Sequence, residues 1–422
     1  AIRNTQHATR TTHHPMLPRS TALLLLAALL GLSACTSEPE PPTLFQRHAP
    51  ERTGVPFANT LAESTDLNII NYLYYYNGGG VAVGDLNGDD RPDLYFTANE
   101  AENALYLNQG NFRFEDVTQA AGVAGTGDWT TGVAMADVNG DGRLDLYVSV
   151  VNGHEGLTGH NQIYINPGPD ADGIPQFSEE SAAYGLDHRG FSTHATFFDY
   201  DRDGDLDLYL LNHSVHDEKT YGRTSLRRNR DPNAGDKLYR NDGARFVDVS
   251  AEAGIIGGAV GYGLGVVATD VDSDGCTDIY VANDFHENDY LYRNNCDGTF
   301  RETITEATGH TSRFSMGTDA GDVNNDGRPD IVSLDMLPRR EEILKTSVSS
   351  ESYDIYRLKL QFGYHAQFAR NMLQLNQGDG RFSEIGYLAG VEATDWSWAP
   401  LFADLDLDGH QDLFISNGIY RR

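Results

Sequence analysis

Basic side chains are scarce in this chain. Its 422 residues carry 31 Lys and Arg against 62 Asp and Glu, a formal net charge of −31. That deficit argues against nucleic acid or an anionic membrane surface as a partner, because both demand a basic footprint. Long apolar runs are missing as well. The longest, Leu23 to Leu32, has ten residues, about half of what a membrane-spanning helix needs. No nucleophile elbow, P-loop or His-Glu-x-x-His motif occurs, so those catalytic sites have no basis in the sequence. Cysteine is limited to Cys35, Cys276 and Cys296. The chain is not poor in core formers: 39% of residues are hydrophobic and 10% aromatic, which argues against disorder. Its 44 Gly, 22 Tyr and 18 Phe point to short strands and tight turns.

The amino terminus reads as a targeting segment over residues 1–34, with Met16 as a candidate start, Arg19 as the basic region and Leu23 to Leu32 as the apolar region. Leu32, Ser33, Ala34 and Cys35 resemble the lipobox of bacterial lipoproteins, which implies lipidation at Cys35 and a membrane link through a lipid anchor only. Thr36, rather than Asp, follows the cysteine, the pattern of outer-membrane lipoproteins of Gram-negative bacteria. Residues 35–50 read as an extended, Pro-rich linker.

Residues 51–422 are organised by a repeat. The pattern Asp-x-Asn/Asp-x-Asp-Gly-x-x-Asp occurs six times, starting at Asp85, Asp137, Asp199, Asp270, Asp322 and Asp404. An apolar or small-residue run precedes each copy, and a β-rich run follows it. A third run ending in Asn recurs at Asn108, Asn166, Asn241, Asn294 and Asn376, and a fourth starts at Phe112, Phe246 and Phe382. Four short strands per unit predict an all-β fold, a β-propeller of four-stranded blades. Five units are complete and the sixth stops after its second strand. The expectation is a fragment of a seven-bladed ring, with six blades as the alternative. Leu44 to Phe57 reads as a fourth strand able to close the ring.

The loop suits calcium, a hard cation that takes six to eight oxygens. Positions 1, 3, 5 and 9 supply side-chain oxygens: Asp85, Asn87, Asp89 and Asp93; Asp137, Asn139, Asp141 and Asp145; Asp199, Asp201, Asp203 and Asp207; Asp270, Asp272, Asp274 and Asp278; Asp322, Asn324, Asp326 and Asp330; Asp404, Asp406, Asp408 and Asp412. Position 7 supplies a backbone carbonyl, from Arg91, Arg143, Asp205, Cys276, Arg328 and His410. Gly at position 6 permits the reversal, with Asp90 replacing it in the first loop. An EF-hand would need Glu at position 12, which here holds Phe96, Val148, Leu210, Val281, Ser333 and Ile415. The Gly-Gly-x-Gly-x-Asp repeat of calcium β-rolls is absent. Acidic turns favour hairpins without any metal, yet Asp fills 21 of the 24 side-chain ligand positions. Carboxylates so crowded repel one another unless a cation lies among them. Up to six Ca²⁺ are expected.

These loops resemble FG-GAP/VCBS repeats, the calcium-loop propeller repeats also found in integrin α heads. The stretch from about Arg52 onward is similar to bacterial VCBS-repeat lipoproteins related to the ASPIC/UnbV, cartilage-acidic-protein-like group. Segments around Asn77, Ala121, Leu211 and Asp335 carry that resemblance. It implies fold and calcium strongly and activity weakly, since such propellers serve as adhesion modules, lectins and occasionally lyase scaffolds. The Phe-Gly/Gly-Ala-Pro element survives loosely at Trp398, Ala399 and Pro400.

Three further features are singled out. Cys276 and Cys296 lie symmetrically about residue 286, the expected centre of a hairpin in the fourth blade, so antiparallel pairing sets them opposite each other and a disulfide is expected. His154 and His160 in blade two, with His213, His216, Arg223, Arg227, Arg228 and Arg230 in blade three, occupy insertions on one face. Glu341 to Gly363 is an insertion with helical periodicity, and Gly261 to Gly265 reads as a closely packed inner strand. The expected function is a calcium-binding, cell-surface, non-enzymatic module that binds a protein or glycan ligand. The alternative is a polysaccharide-lyase-like enzyme, which requires exposed His213, His216 and Tyr221 to converge with an arginine.

Overall fold

A computed structural model describes residues 43–215, 224–243, 245–347 and 351–418. The expected leader, Cys35, His216, Tyr221 and Arg223 lie outside the described residues. The chain divides into the units Ala1–Arg47 and His48–Arg422, and the propeller occupies the second.

Five four-stranded antiparallel sheets follow one another. Blade one comprises Val81–Gly84, Asp93–Phe96, Ala104–Asn108 and Phe114–Asp116; blade two Thr130–Ala136, Asp145–Val150, Gln162–Ile165 and Ser178–Glu179. Blade three comprises Ser192–Phe198, Asp207–Asn212, Lys237–Asn241 and Phe246–Asp248; blade four Gly263–Thr269, Asp278–Asn283, Tyr290–Asn294 and Phe300–Glu302. Blade five comprises Gly317–Gly321, Asp330–Leu334, Met372–Asn376 and Phe382–Glu384. Blade six has Asp395–Ala403 and Asp412–Asn417, and Met336–Leu337 pairs with the first of them. First strands of consecutive blades contact each other. Gly80, Thr131, His194, Leu264, Met316 and Trp398, one residue from each blade, line one central cavity of about 240 Å³. This is the expected propeller arrangement.

The packing follows from the two-residue period of a strand. All six residues of Asp145–Val150 are buried. Leu146 and Val148 pack toward blade one with Tyr95 and Leu105, while Tyr147 packs toward blade three with Leu208 and Leu210. Tyr209 and Leu211 then meet Ile279 and Val281 of blade four. The second strands of blades two to five are therefore buried on both faces and read as continuous apolar runs. Gly265 sits where an added Cβ would lie 2.8 Å from the backbone nitrogen of Thr318 in blade five; close packing is the role of that inner strand.

Leu44 to Phe57 forms no strand. It contains a one-turn helix, Pro50–Thr53, ended by Gly54 at φ 80°. The same turn-and-glycine device joins blades at Thr118–Ala121 with Gly122 and Ser181–Tyr184 with Gly185. Local capping by proline and glycine outweighed strand propensity there. Cys276 and Cys296 are disulfide-bonded with Cα atoms 5.8 Å apart. The register pairs Ile279 with Tyr292, one residue off the symmetry assumed from spacing, because Cys296 lies in the turn beyond the third strand at φ 57°.

One bolt recurs just before the third strands. The Oδ1 atoms of Asn103, Asn161, Asp236, Asp289 and Asn371 accept the amide at the end of the second strand, at 3.0, 2.8, 2.9, 2.9 and 2.7 Å. In blades three and four the acceptor is a carboxyl that also takes the Tyr209 or Tyr280 hydroxyl, at 2.9 and 2.7 Å. Burial pushes Asp236 and Asp289 up to about 7, against about 4 in an unfolded chain. Between those values the folded chain holds the extra protons, so their contribution to stability falls as pH rises through that window. Asp236→Asn copies the arrangement of blade two. It is expected to leave the melting temperature near pH 4 nearly unchanged and to stabilise the chain by up to about 4 kcal/mol at pH 8, read by calorimetry at both pH values.

Candidate functional site

Antiparallel order places the six acidic loops and the turns after the third strands at one end of the blades. The insertions after the second strands lie at the opposite end. Each end carries its own chemistry.

At the first end the six loops share one hydrogen-bond scheme. The position-1 carboxylate accepts the position-6 amide in every copy: from Asp90 at 2.8 Å, Gly142 at 2.7 Å, Gly204 at 3.1 Å, Gly275 at 2.9 Å, Gly327 at 2.7 Å and Gly409 at 2.9 Å. The position-5 carboxylate accepts the position-7 amide, as from Cys276 to Asp274 at 2.8 Å and from His410 to Asp408 at 2.9 Å. Position 6 has positive φ throughout, Asp90 included at 64°. Position 4 is left-handed too: Gly88, Gly140, Arg202, Ser273, Asn325 and Leu407 all have φ between 57° and 77°. The sequence concealed this second reversal, because only two copies place glycine there.

Position 9 works differently. Asp93, Asp145, Asp207, Asp278 and Asp330 are no more than 1% exposed. One oxygen of each accepts the position-2 amide at 2.9–3.1 Å. The other accepts the amide of the Asn that ends the third strand, Asn108, Asn166, Asn241, Asn294 or Asn376, at 2.7–2.8 Å. The Asn side chain then reaches back to the preceding blade: Asn166 donates to the Leu86 carbonyl at 2.9 Å, Asn294 to Tyr200 at 2.8 Å and Asn376 to Val271 at 2.8 Å. Loops two to five are thereby each tied to their own third strand and to the loop before. Burial pushes Asp145 up to about 6 and Asp207 and Asp278 up to about 7; the accepted amides pull the other way.

These donors fit a hard cation. In the loops with Asp at position 3, three carboxylates offer oxygens within 4.8 Å of one another: Asp199, Asp201 and Asp203; Asp270, Asp272 and Asp278; Asp404, Asp406 and Asp412. Buried Oδ1 atoms of Asp201, Asp205 and Asp272 lack any hydrogen-bond partner. The loops with Asn at position 3 carry Arg at position 7, whose guanidinium meets the position-5 carboxylate: Arg91 with Asp89 at 3.4 Å, Arg143 with Asp141 at 2.5 Å and Arg328 with Asp326 at 2.6 Å. The six loops thus fall into two electrostatic classes.

The opposite end is sealed by a segment to which the sequence reading gave no role. Tyr72, Tyr74 and Tyr75 are buried against Trp129, Phe191 and Tyr262. The signal was present: four tyrosines fall among residues 72–76. His213 is 1% exposed; its Nε2 lies 3.1 Å from the Tyr72 hydroxyl and its Nδ1 2.8 Å from the Ser214 carbonyl oxygen. His154 lies 3.2 Å from the Asn71 carbonyl oxygen. The insertions do share one face, but these histidines anchor the tyrosine segment. Arg227 pairs with buried Glu287 at 2.7 Å and lies 4.3 Å from the Tyr364 ring centroid, and Arg230 donates to the Ser250 carbonyl at 2.8 Å. The late insertion forms two helices, Glu341–Ser347 and Tyr353–Gln361. Its charged Lys359 is buried beside Glu351 at 3.3 Å, whereas Ile355 and Leu358 are exposed.

Between the tyrosine segment and blades four to six lies a cleft of about 680 Å³. Six aromatic side chains line it, Tyr74, Tyr76, Phe285, Phe314, Trp396 and Trp398, together with one carboxyl, Asp284.

The fold is a β-propeller, and residues 85–148, 270–333 and 363–415 of it match the FG-GAP-like repeat. Among curated proteins the chain is similar to cartilage acidic protein 1 of Mus musculus, 26% identical over 219 residues, which cover 49% of this chain and 29% of that protein. The Homo sapiens protein is likewise 26% identical over 219 residues, 28% of its length. The matched part of this chain thus spans under a third of either relative. Among solved structures, an Agrocybe aegerita lectin recognising non-reducing terminal N-acetylglucosamine aligns with TM-score 0.43 and 16% identity over 79% of this chain and 73% of its own. The V. cholerae biofilm matrix protein Bap1 aligns with TM-score 0.37 and 13% identity over 76% of this chain and 41% of its own.

Leu407, in left-handed geometry at position 4 of the sixth loop, is 86% exposed. Leu407→Gly is expected to raise stability by roughly 1 kcal/mol by removing the left-handed penalty. Chemical denaturation of the two forms measures this.

Proposed function

We propose that this chain is a calcium-binding β-propeller held at the cell surface by a lipidated Cys35, acting as a non-enzymatic module that binds a protein or glycan ligand. The observation that carries the metal reading is the repeated loop geometry: six copies of one scheme, with carboxylate oxygens clustered in loops three, four and six and buried oxygens of Asp201, Asp205 and Asp272 without a hydrogen-bond donor. The residues that would hold Ca²⁺ are those at positions 1, 3, 5 and 9 with the position-7 carbonyl. A bound cation would neutralise carboxylates that burial and mutual repulsion otherwise leave costly, and it would brace the loop that joins the first two strands. Ligand binding falls to the opposite end, where the insertions and the aromatic cleft lie.

The lyase alternative has less support. His213 is buried with both ring nitrogens engaged, so it does not offer the exposed base that reading needs. The anchor reading rests on the lipobox pattern at Cys35.

Ligand charge tunes calcium affinity, so loops three, four and six, with four Asp each, are expected to bind more tightly than loops one, two and five. Calorimetric titration of chelator-stripped protein should resolve two classes, and Asp272→Asn should move one site from the tighter to the weaker. A melting temperature unchanged by chelation would remove the calcium reading. In a Gram-negative host, radiolabelled palmitate should enter the wild-type chain and not Cys35→Ala.

A further inference from the structure

The aromatic cleft has a chemistry more specific than a ligand face in general. Its volume of about 680 Å³ lies within the range of small-molecule sites. Its rings come from three sources: Tyr74 and Tyr76 from the capping segment, Phe285 and Phe314 from blades four and five, and Trp396 and Trp398 from blade six. Phe285 and Phe314 meet edge to face, with centroids 6.1 Å apart. Leu73, Met316 and Met336 add apolar wall. Polar groups are few, and one of them is ionisable.

That group is Asp284, 3% exposed. One of its oxygens accepts the Phe285 amide at 2.7 Å, and the Tyr74 hydroxyl lies beside it. Among the described residues no lysine or arginine nitrogen comes within 4.0 Å of it. Burial pushes its carboxyl well above the usual carboxylate range and Asp335 adds to that, while the Phe285 amide and the Arg313 guanidinium, which lies 4.7 Å from the Phe314 ring centroid, pull the other way. Asp335 is buried and takes the Ser312 hydroxyl at 2.6 Å and the Arg313 and Phe314 amides at 3.1 and 3.0 Å. Glu351 is shared by Arg313 at 3.6 Å and Lys359 at 3.3 Å. Asp284 is thus a buried carboxyl without an ion-pair partner among the described residues, set in the wall of an apolar, ring-lined cavity, and a cation seated beside it would favour its ionised form. Buried charges need partners, and ring faces attract cations. The indole Nε1 of Trp396, buried and without a hydrogen-bond partner, adds one donor.

We propose that this cleft binds a small organic cation: a hydrocarbon or aromatic body carrying one ammonium group, with the ammonium at Asp284 and the body among the six rings. This deepens the reading of this end as the ligand face and rests on it. A sugar is a poorer fit, because it brings a hydroxyl on almost every carbon, and each needs a partner that these walls do not supply. The Tyr76 hydroxyl is already spent on Glu63 at 2.5 Å.

The test is a fluorescence titration of the calcium-saturated Trp129→Phe chain, whose remaining tryptophans are Trp396 and Trp398, with benzyltrimethylammonium, choline, the neutral choline isostere 3,3-dimethylbutanol, and glucose. Saturable binding of both ammonium compounds is expected, with the neutral isostere at least about tenfold weaker. Asp284→Asn should abolish that discrimination. Leu73→Lys, at a position 43% exposed, would set a resident cation at the rim and weaken both ammonium compounds by a similar factor, which keeps the test valid if the buried variant folds poorly. Equal affinity for choline and its isostere, preference for glucose, or absence of saturable binding would each overturn the proposal. Chelation-dependent melting of the same samples reports on the metal loops separately, so failure in the cleft and failure of the calcium reading are distinguishable.

Discussion

The buried aspartate at position 9 of the first five acidic loops is the constraint on which the rest depends. A carboxylate in a protein interior is unfavourable unless hydrogen bonds satisfy it. Here each one is met by two backbone amides from different strands, as Asp145 is by Val138 and Asn166. That single residue fixes the entry of the loop, the start of the second strand and the end of the third. The asparagine it holds extends the constraint to the preceding blade, as Asn166 does at the Leu86 carbonyl. The blades are thus linked by a polar chain along one end, in addition to the apolar contacts between their faces.

Those apolar contacts account for the rest of the ring. The second strands of blades two to five, buried on both faces, contribute alternate residues to two interblade cores, so none of these blades has a core of its own. A substitution in one strand consequently acts on two neighbours. At the opposite end the polar bolts before the third strands, built on Asn161 or Asp236, do locally what the position-9 aspartates do at the loops. The division of labour is physical: one end is rigid, acidic and repetitive, whereas the other is aromatic, irregular and assembled from distant parts of the chain.

Much of the fold was legible because its signals are local. The six loops and the strand runs beside them follow from residue spacing. The pairing of Cys276 with Cys296 followed as well, although its register was off by one because Cys296 sits in a left-handed turn. Leu44 to Phe57 was misjudged, since proline and glycine capping there makes a turn of helix where propensity suggests a strand. His154 and His213 lie on the expected face, and His213 is buried because the tyrosine segment, far away in sequence, covers it.

By itself, then, the sequence determined the repeat, the all-β class, the loop chemistry and the excess of negative charge, all of which are properties of contiguous residues. Only the tertiary structure decided that position 9 of the first five loops is also a buried strap between strands, that position 4 is left-handed even as Leu407, and that Tyr74, Asp284, Phe314 and Trp396 share one cleft. Each of these rests on groups brought together across blades, and hydrogen bonding and burial between distant segments leave no periodic mark in the chain.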